Sequence, residues 1–166
     1  QRTLLQIGSE NTNIMGDRAF HLFFDFLHSD DPQLKQIASK GLIELSNKDP
    51  IPLIKQLIGE KETDSVIKRG MISQTLIGVV QRNPTPCIPV IIESLSSPDE
   101  NNRANAASVL SALSDTHIRH IPIKQILPLW LSESSNKVKK ELTKIFTIVA
   151  RSDPSVLKPL MPMITK

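Results

Sequence analysis

The chain has 166 residues, 39% of them apolar and 22% charged, with a formal charge of +3 and a pI near 9.1. That balance describes a folded domain or four to five short repeats, excludes a disordered tail, and falls well short of the charge density of a dedicated nucleic-acid-binding domain. Cys87 is the single cysteine, which excludes an internal disulfide and points to an intracellular, cytoplasmic setting; no apolar run approaches the roughly 18 residues that span a bilayer, so no membrane partner is expected.

Taken in chain order, Arg2 to Gly8 reads as the tail of a helix, and about Asp17 to Leu27 as a short apolar one. After Asp31-Pro32-Gln33-Leu34-Lys35, apolar or small residues recur at Ile37, Ala38, Gly41, Leu42 and Leu45, the 3–4 spacing of one helix face. A short helix from Pro50 to Ile58 follows the break at Asp49-Pro50. A longer helix after Asp64 carries Met71, Ile72, Leu76, Val79 and Val80. Beyond Asn83-Pro84, Pro86 to Leu95 is short and apolar again. The helix after Asp99 then presents Ala106, Ala107, Leu110 and Leu113. Past Ile121-Pro122 comes Ile123 to Leu131; the helix after Ser135 presents Leu142, Ile145, Phe146 and Val149. Asp153-Pro154 opens a last short stretch to Ile164. A residue before proline is biased away from the α region, so each of these prolines ends one helix and starts the next. Pro89, Pro128, Pro159 and Pro162 lie inside short helices and are expected to kink or shorten them. With aromatic residues at 4% and no tyrosine, the core must come from Leu, Ile, Val, Ala and Met.

The organisation is periodic. Asp31/Lys35, Asp64/Lys68, Asp99/Arg103 and Ser135/Lys139 recur at offsets of 33, 35 and 36 residues, and a fixed period in that range marks a solenoid. A single helix pair has too little apolar surface to fold alone, whereas stacked pairs bury a continuous core. The expected fold is therefore all-α, a superhelix of about four to five stacked antiparallel pairs in one domain over 1–166. Partial repeats fall at 1–13 and 153–166 and whole ones near 14–48, 49–83, 84–120 and 121–152. Small residues at Ala38, Gly41, Gly70, Ala106 and Ala107 mark close helix approaches. Both ends read as half pairs, so the chain is expected to be a fragment of a longer array or to end in a contact surface.

These motifs resemble the HEAT-repeat, armadillo-like family: a proline-containing first helix (A), a turn with Asp, and a second helix (B) opening with an apolar residue and then Lys or Arg. Asp31-Pro32-Gln33-Leu34-Lys35 fits closely, while Ser135 replaces the acid in the last repeat and Asn102 the apolar residue in the third. The resemblance covers roughly Asp17 to Ile164. It implies that the acid–base ladder ties one repeat to the next, and that the B helices line a concave binding face. HEAT-like DNA glycosylases set aromatic and acidic residues on that face, but Trp130 lies in an A helix, expected to face outward or into the core.

Nothing in the sequence builds a catalytic site. His117 and His120 have no further ligand at metal spacing. Cys87, near a helix start between Pro86 and Pro89, reads as a packed thiol, with a depressed pKa the alternative. Phosphate-loop, nucleophile-elbow and zinc-helix motifs are missing. No enzyme, cofactor or metal is expected. Charge is uneven: the last B helix carries Lys137, Lys139, Lys140, Lys144 and Arg151 against Glu141, and the second carries Lys68, Arg69 and Arg82 against Asp64. The expected function is a protein-binding scaffold that holds an acidic or extended partner on its B-helix face through Lys68, Arg69, Lys139, Lys140 and Lys144. The alternatives are a nucleic-acid-binding module using the same basic residues, or a solvated face serving solubility.

Overall fold

The computed structural model describes residues 18–59, 66–158 and Pro162. Every regular element among them is helical. In order they are α1 (18–27), α2 (Pro32–Leu45), α3 (Ile51–Ile58), α4 (Val66–Arg82), α5 (Pro84–Ser94), α6 (Glu100–His117), α7 (Ile123–Ser132) and α8 (Asn136–Ser152), with 3-10 turns at Ile118–His120 and Pro154–Val156. The helix tail expected at 2–8, the partial repeat 1–13 and Asp64 lie outside the described residues.

The helix starts follow from side chains that take up orphan N–H groups. Asp31, in extended conformation, accepts from Gln33 N at 2.8 Å, with Pro32 at the first helical position. Asp99 accepts from Asn101 N at 2.7 Å, and Ser135 from Val138 N at 3.4 Å. The short helices α3 and α5 open instead on prolines, whose missing N–H is one the first turn leaves unpaired anyway. Both α5 and α7 run on through Pro89 and Pro128, which sit on their exposed sides where a displaced carbonyl meets water. The stretch expected as a helix from Pro154 opens as a 3-10 turn. Asp153 Oδ1 accepts from Ser155 N at 3.1 Å, and Leu157 N closes back on Pro154 O at 3.2 Å, an i→i+3 bond.

The long helices pack on one another in chain order: α2 on α4, α4 on α6, and α6, most extensively, on α8. Among the short helices α3 packs on α5, and α3, α5 and α7 each lie against the long helix that follows. A single core runs along the seam, with Leu42, Ile54, Leu76, Ile91, Leu110 and Ile126 all 0–1% exposed. Each such side chain taken from water stabilises the fold by roughly 1.5–3 kcal/mol before entropy is set against it. Polar ties cross the seams. Thr75 hydrogen-bonds the buried Ser39 hydroxyl at 2.7 Å, and Asn105 Nδ2 donates to Ile58 O, near the end of α3, at 3.1 Å.

Ala38, Ala106 and Ala107 are fully buried, as their small size suggests. Gly41 is a true close approach, because a Cβ there would stand 2.5–2.7 Å from the Phe23 ring of α1. Gly70 is not: a Cβ there meets nothing within 4 Å. Gly78, which periodicity alone does not single out, would place a Cβ 2.5 Å from Ile43 Cδ1, so α2 and α4 are in close register there. Ile37 also departs from expectation. It counts toward the apolar face of α2 by spacing yet is 55% exposed.

Opposite effects of one substitution type follow. Gly41→Ala is expected to destabilise by about 1–2 kcal/mol, since displacing a packed ring outweighs the helix-propensity gain. Gly70→Ala is expected to stabilise by about 0.5–1 kcal/mol through that gain alone. Urea denaturation of the two variants measures both; equal shifts would refute the packing difference.

Candidate partner-binding surface

The capped start of α8 sets the angular position of every side chain on it. Val138, Leu142, Ile145 and Val149, spaced 4, 3 and 4, are buried against the core. Lys137, Lys140, Lys144 and Arg151, spaced 3, 4 and 7, therefore share the outer stripe, and all four are exposed. Lys144 Nζ pairs with Glu141 Oε1 at 2.6 Å, while Glu141 Oε2 accepts from the Ser111 hydroxyl of α6 at 2.9 Å. One carboxylate thus holds a lysine on the stripe and ties α8 to α6.

Lys139 is on a different side. It points toward α7, its ammonium 5.6 Å from the Trp130 ring centroid in a cation–π arrangement. Trp130 is half-buried in the α7–α8 seam. Its indole N–H donates to Thr143 Oγ1 at 3.0 Å, and its ring meets Phe146 edge-on at 5.6 Å. The structure therefore brings Lys140 and Lys144 together and separates Lys139 from them. Lys68 and Arg69 are in the first turn of α4, and their side chains lie outside the described residues. Lys137 and Arg151 complete the stripe. Their spacing is visible in the sequence, but net charge over the whole helix does not distinguish them from Lys139.

The periodic acids and bases have separate tasks. Asp31, Asp99 and Ser135 cap helices. Arg103 reaches forward instead, giving Nε and Nη2 to Glu133 at 2.9 and 3.2 Å and Nη1 to Ser97 O and Pro98 O at 2.9 and 3.1 Å. Glu133, with a side chain only 5% exposed, also accepts from Ser135 N at 2.8 Å. The Arg103 hydrogen bonds hold its carboxyl below the usual carboxylate range and raise the guanidinium in turn. The Ser135 hydroxyl adds a 2.6 Å bond to Glu100 Oε1. Lys35, at the matching place in α2, is 4% exposed. In the same turns Ser29, Ser97 and Glu133, each two residues before a cap, accept from the N–H of Asp31, Asp99 and Ser135. Glu133 carries no motif; its mark in the sequence is its place in that recurring turn.

Burial pushes the Cys87 thiol up to about 11, which makes it a packed, unreactive group at neutral pH. The His117 and His120 rings are 6.1 Å apart, and no group of three or more His, Cys, Asp or Glu among the described residues is placed to hold a metal. No helix among them is long and apolar enough to cross a membrane. Compared with known proteins, the chain matches no family model, no curated protein and no solved structure.

Proposed function

We propose that this chain is a HEAT-like solenoid that acts as a non-enzymatic scaffold, holding an acidic, extended protein segment along the face formed by its long helices. The observation that carries the reading is the row α2–α4–α6–α8, each packed on the last, with α3, α5 and α7 each against the long helix that follows. Helical periodicity turns Gln36 and Lys40, Gln74 and Gln81, and Lys140 and Lys144 away from the short helices, and all six are exposed. Amide side chains suit a partner's backbone, and the cationic stripe of α8 suits its acidic residues.

Reversing Lys140, Lys144 and Arg151 to Glu is expected to weaken capture of an acidic protein about tenfold or more while lowering the melting temperature only slightly, since all three are exposed and the lost Lys144–Glu141 pair is a surface one. Capture from native lysate at physiological salt, with and without nuclease, checks it. A defined protein retained after nuclease and lost in the triple variant supports the scaffold. Retention that disappears with nuclease, with affinity falling steeply with salt, would instead establish a nucleic-acid module on the same stripe.

A further inference from the structure

We infer that the segment held on the long-helix face carries two acidic clusters about eight residues apart, joined by an uncharged stretch. The inference rests on the scaffold reading and goes past it to the charge pattern of the partner. Its first support is where the face keeps its charge. Lys40 on α2 and Lys140 on α8 are exposed, and among the described residues neither has a hydrogen-bond or ion-pair partner. The one carboxylate within each of these helices is engaged elsewhere. Glu44 of α2 pairs with Arg82 at 2.6 Å, and Glu141 of α8 pairs with Lys144 at 2.6 Å and accepts from the Ser111 hydroxyl at 2.9 Å. Between the two helices, the described exposed side chains turned the same way are Gln74 and Gln81 of α4 and Ala112 of α6, none of them charged. An extended partner on this face therefore meets cations at its two ends and uncharged side chains between them.

The second support is the level of those cations. The long helices run side by side in one direction. Ser135 meets Glu100 at the starts of α8 and α6, and Glu44 meets Arg82 at the ends of α2 and α4. Asn105, early in α6, donates to Ile58 O at the end of the helix that leads into α4. Lys40 stands nine residues after the cap Asp31, and Lys144 nine after the cap Ser135, so the two are at one level of the row. Lys140 is one turn from Lys144 on the same stripe. Packed neighbouring helices lie roughly 8–10 Å apart, so the three steps from α2 to α8 put about 24–30 Å between the two sets of cations. An extended chain advances about 3.3 Å per residue, so roughly seven to nine residues join acids that reach both. Complementary charge at two fixed points sets the register of the partner, while the glutamine amides between them suit its backbone.

Fluorescence anisotropy at physiological salt, with labelled synthetic peptides, tests the spacing. One peptide carries two Glu-Glu pairs separated by about eight Ser and Gln residues, a second sets the pairs side by side, and a third keeps a single pair. The spaced peptide is expected to bind wild type about three- to fivefold more tightly than the single pair, the gain from a second, tethered surface contact. Lys40→Ala is expected to remove that gain, with circular dichroism melting as the check that the variant folds. The side-by-side peptide sits on α8 and is expected to show no such loss. At this salt the Debye length is about 8 Å, so a change at Lys40 is felt at α8 only through a peptide that spans both. A spaced peptide no tighter than the single pair overturns the spacing and leaves the scaffold reading standing, as does equal loss of the spaced and side-by-side peptides in Lys40→Ala. Failure of wild type to bind any of the three overturns the scaffold reading as well.

Discussion

Replacing Leu110 with alanine is expected to cost about 3–5 kcal/mol and to lower the melting temperature by roughly 10 °C. Leu110 is fully buried in α6, and α6 packs against α4, α5 and α8 and also α3. A cavity there is lined by side chains from several helices, each held by its own neighbours, so none can collapse inward to fill it. The position in the row matters as much as the burial. In a linear stack, stability is a sum of unit and nearest-neighbour contributions, and α6 stands between α4 and α8. Loosening it weakens both interfaces at once. Amide exchange in Leu110→Ala is therefore expected to lose protection from α4 through α8. Leu27→Ala, equally buried but in the first described helix, is expected to lose protection chiefly near α1 and α2. Equal loss of protection along the whole chain in both variants would show a single cooperative unit and overturn the linear account.

The element order could be read from the sequence because the chain repeats its local chemistry. A cap, a turn of helix, a 3–4 apolar stripe and a proline break recur, and each of these acts within a few residues. Asp31 and Asp99 could be placed at helix starts for that reason, although their work is to accept backbone N–H groups and not to pair with the base four residues on. Contacts between helices were less legible. Spacing cannot separate Gly41, pressed against Phe23, from Gly70, which faces open space; the difference lies in what another helix brings to the site. Ile37 obeys the apolar stripe of α2 and is still exposed, because it lies on the flank of that stripe turned away from α4. On the candidate surface the count of cations on α8 was legible, but their division was not. Lys140 and Lys144 are on the outer stripe while Lys139 lies over an indole from α7, a helix the local pattern of α8 does not encode.

Glu133 shows the same principle with an energetic consequence. Glu133→Ala is expected to destabilise by about 2–3 kcal/mol, although the residue belongs to no apolar stripe and no motif. Its carboxylate takes two guanidinium hydrogen bonds from Arg103 and the N–H of Ser135, so truncation leaves a shielded cation and a helix-start donor without their acceptor. The cost falls below that of a fully buried pair because the Arg103 side chain keeps 17% of its exposure and water can partly replace the carboxylate. The exposed Arg82–Glu44 pair, at 2.6 Å, has the shorter contact but is solvated on both sides, and breaking it is expected to leave the melting curve nearly unchanged. The pH dependence has a definite sign. The folded-state pKa of Glu133 is depressed, first by the Arg103 hydrogen bond. Its contribution is therefore complete above the pKa of an unfolded glutamate, about 4.3, and is lost as the pH falls from there through the lower folded value. Arg103 is raised and stays protonated throughout, so it adds no slope in that window. Wild type and Glu133→Ala, compared by urea denaturation, should differ most above pH 5 or so and converge as acid protonates the wild-type carboxyl. A gap that stays constant down to strong acid would mean that the lost stability is packing and not the ion pair.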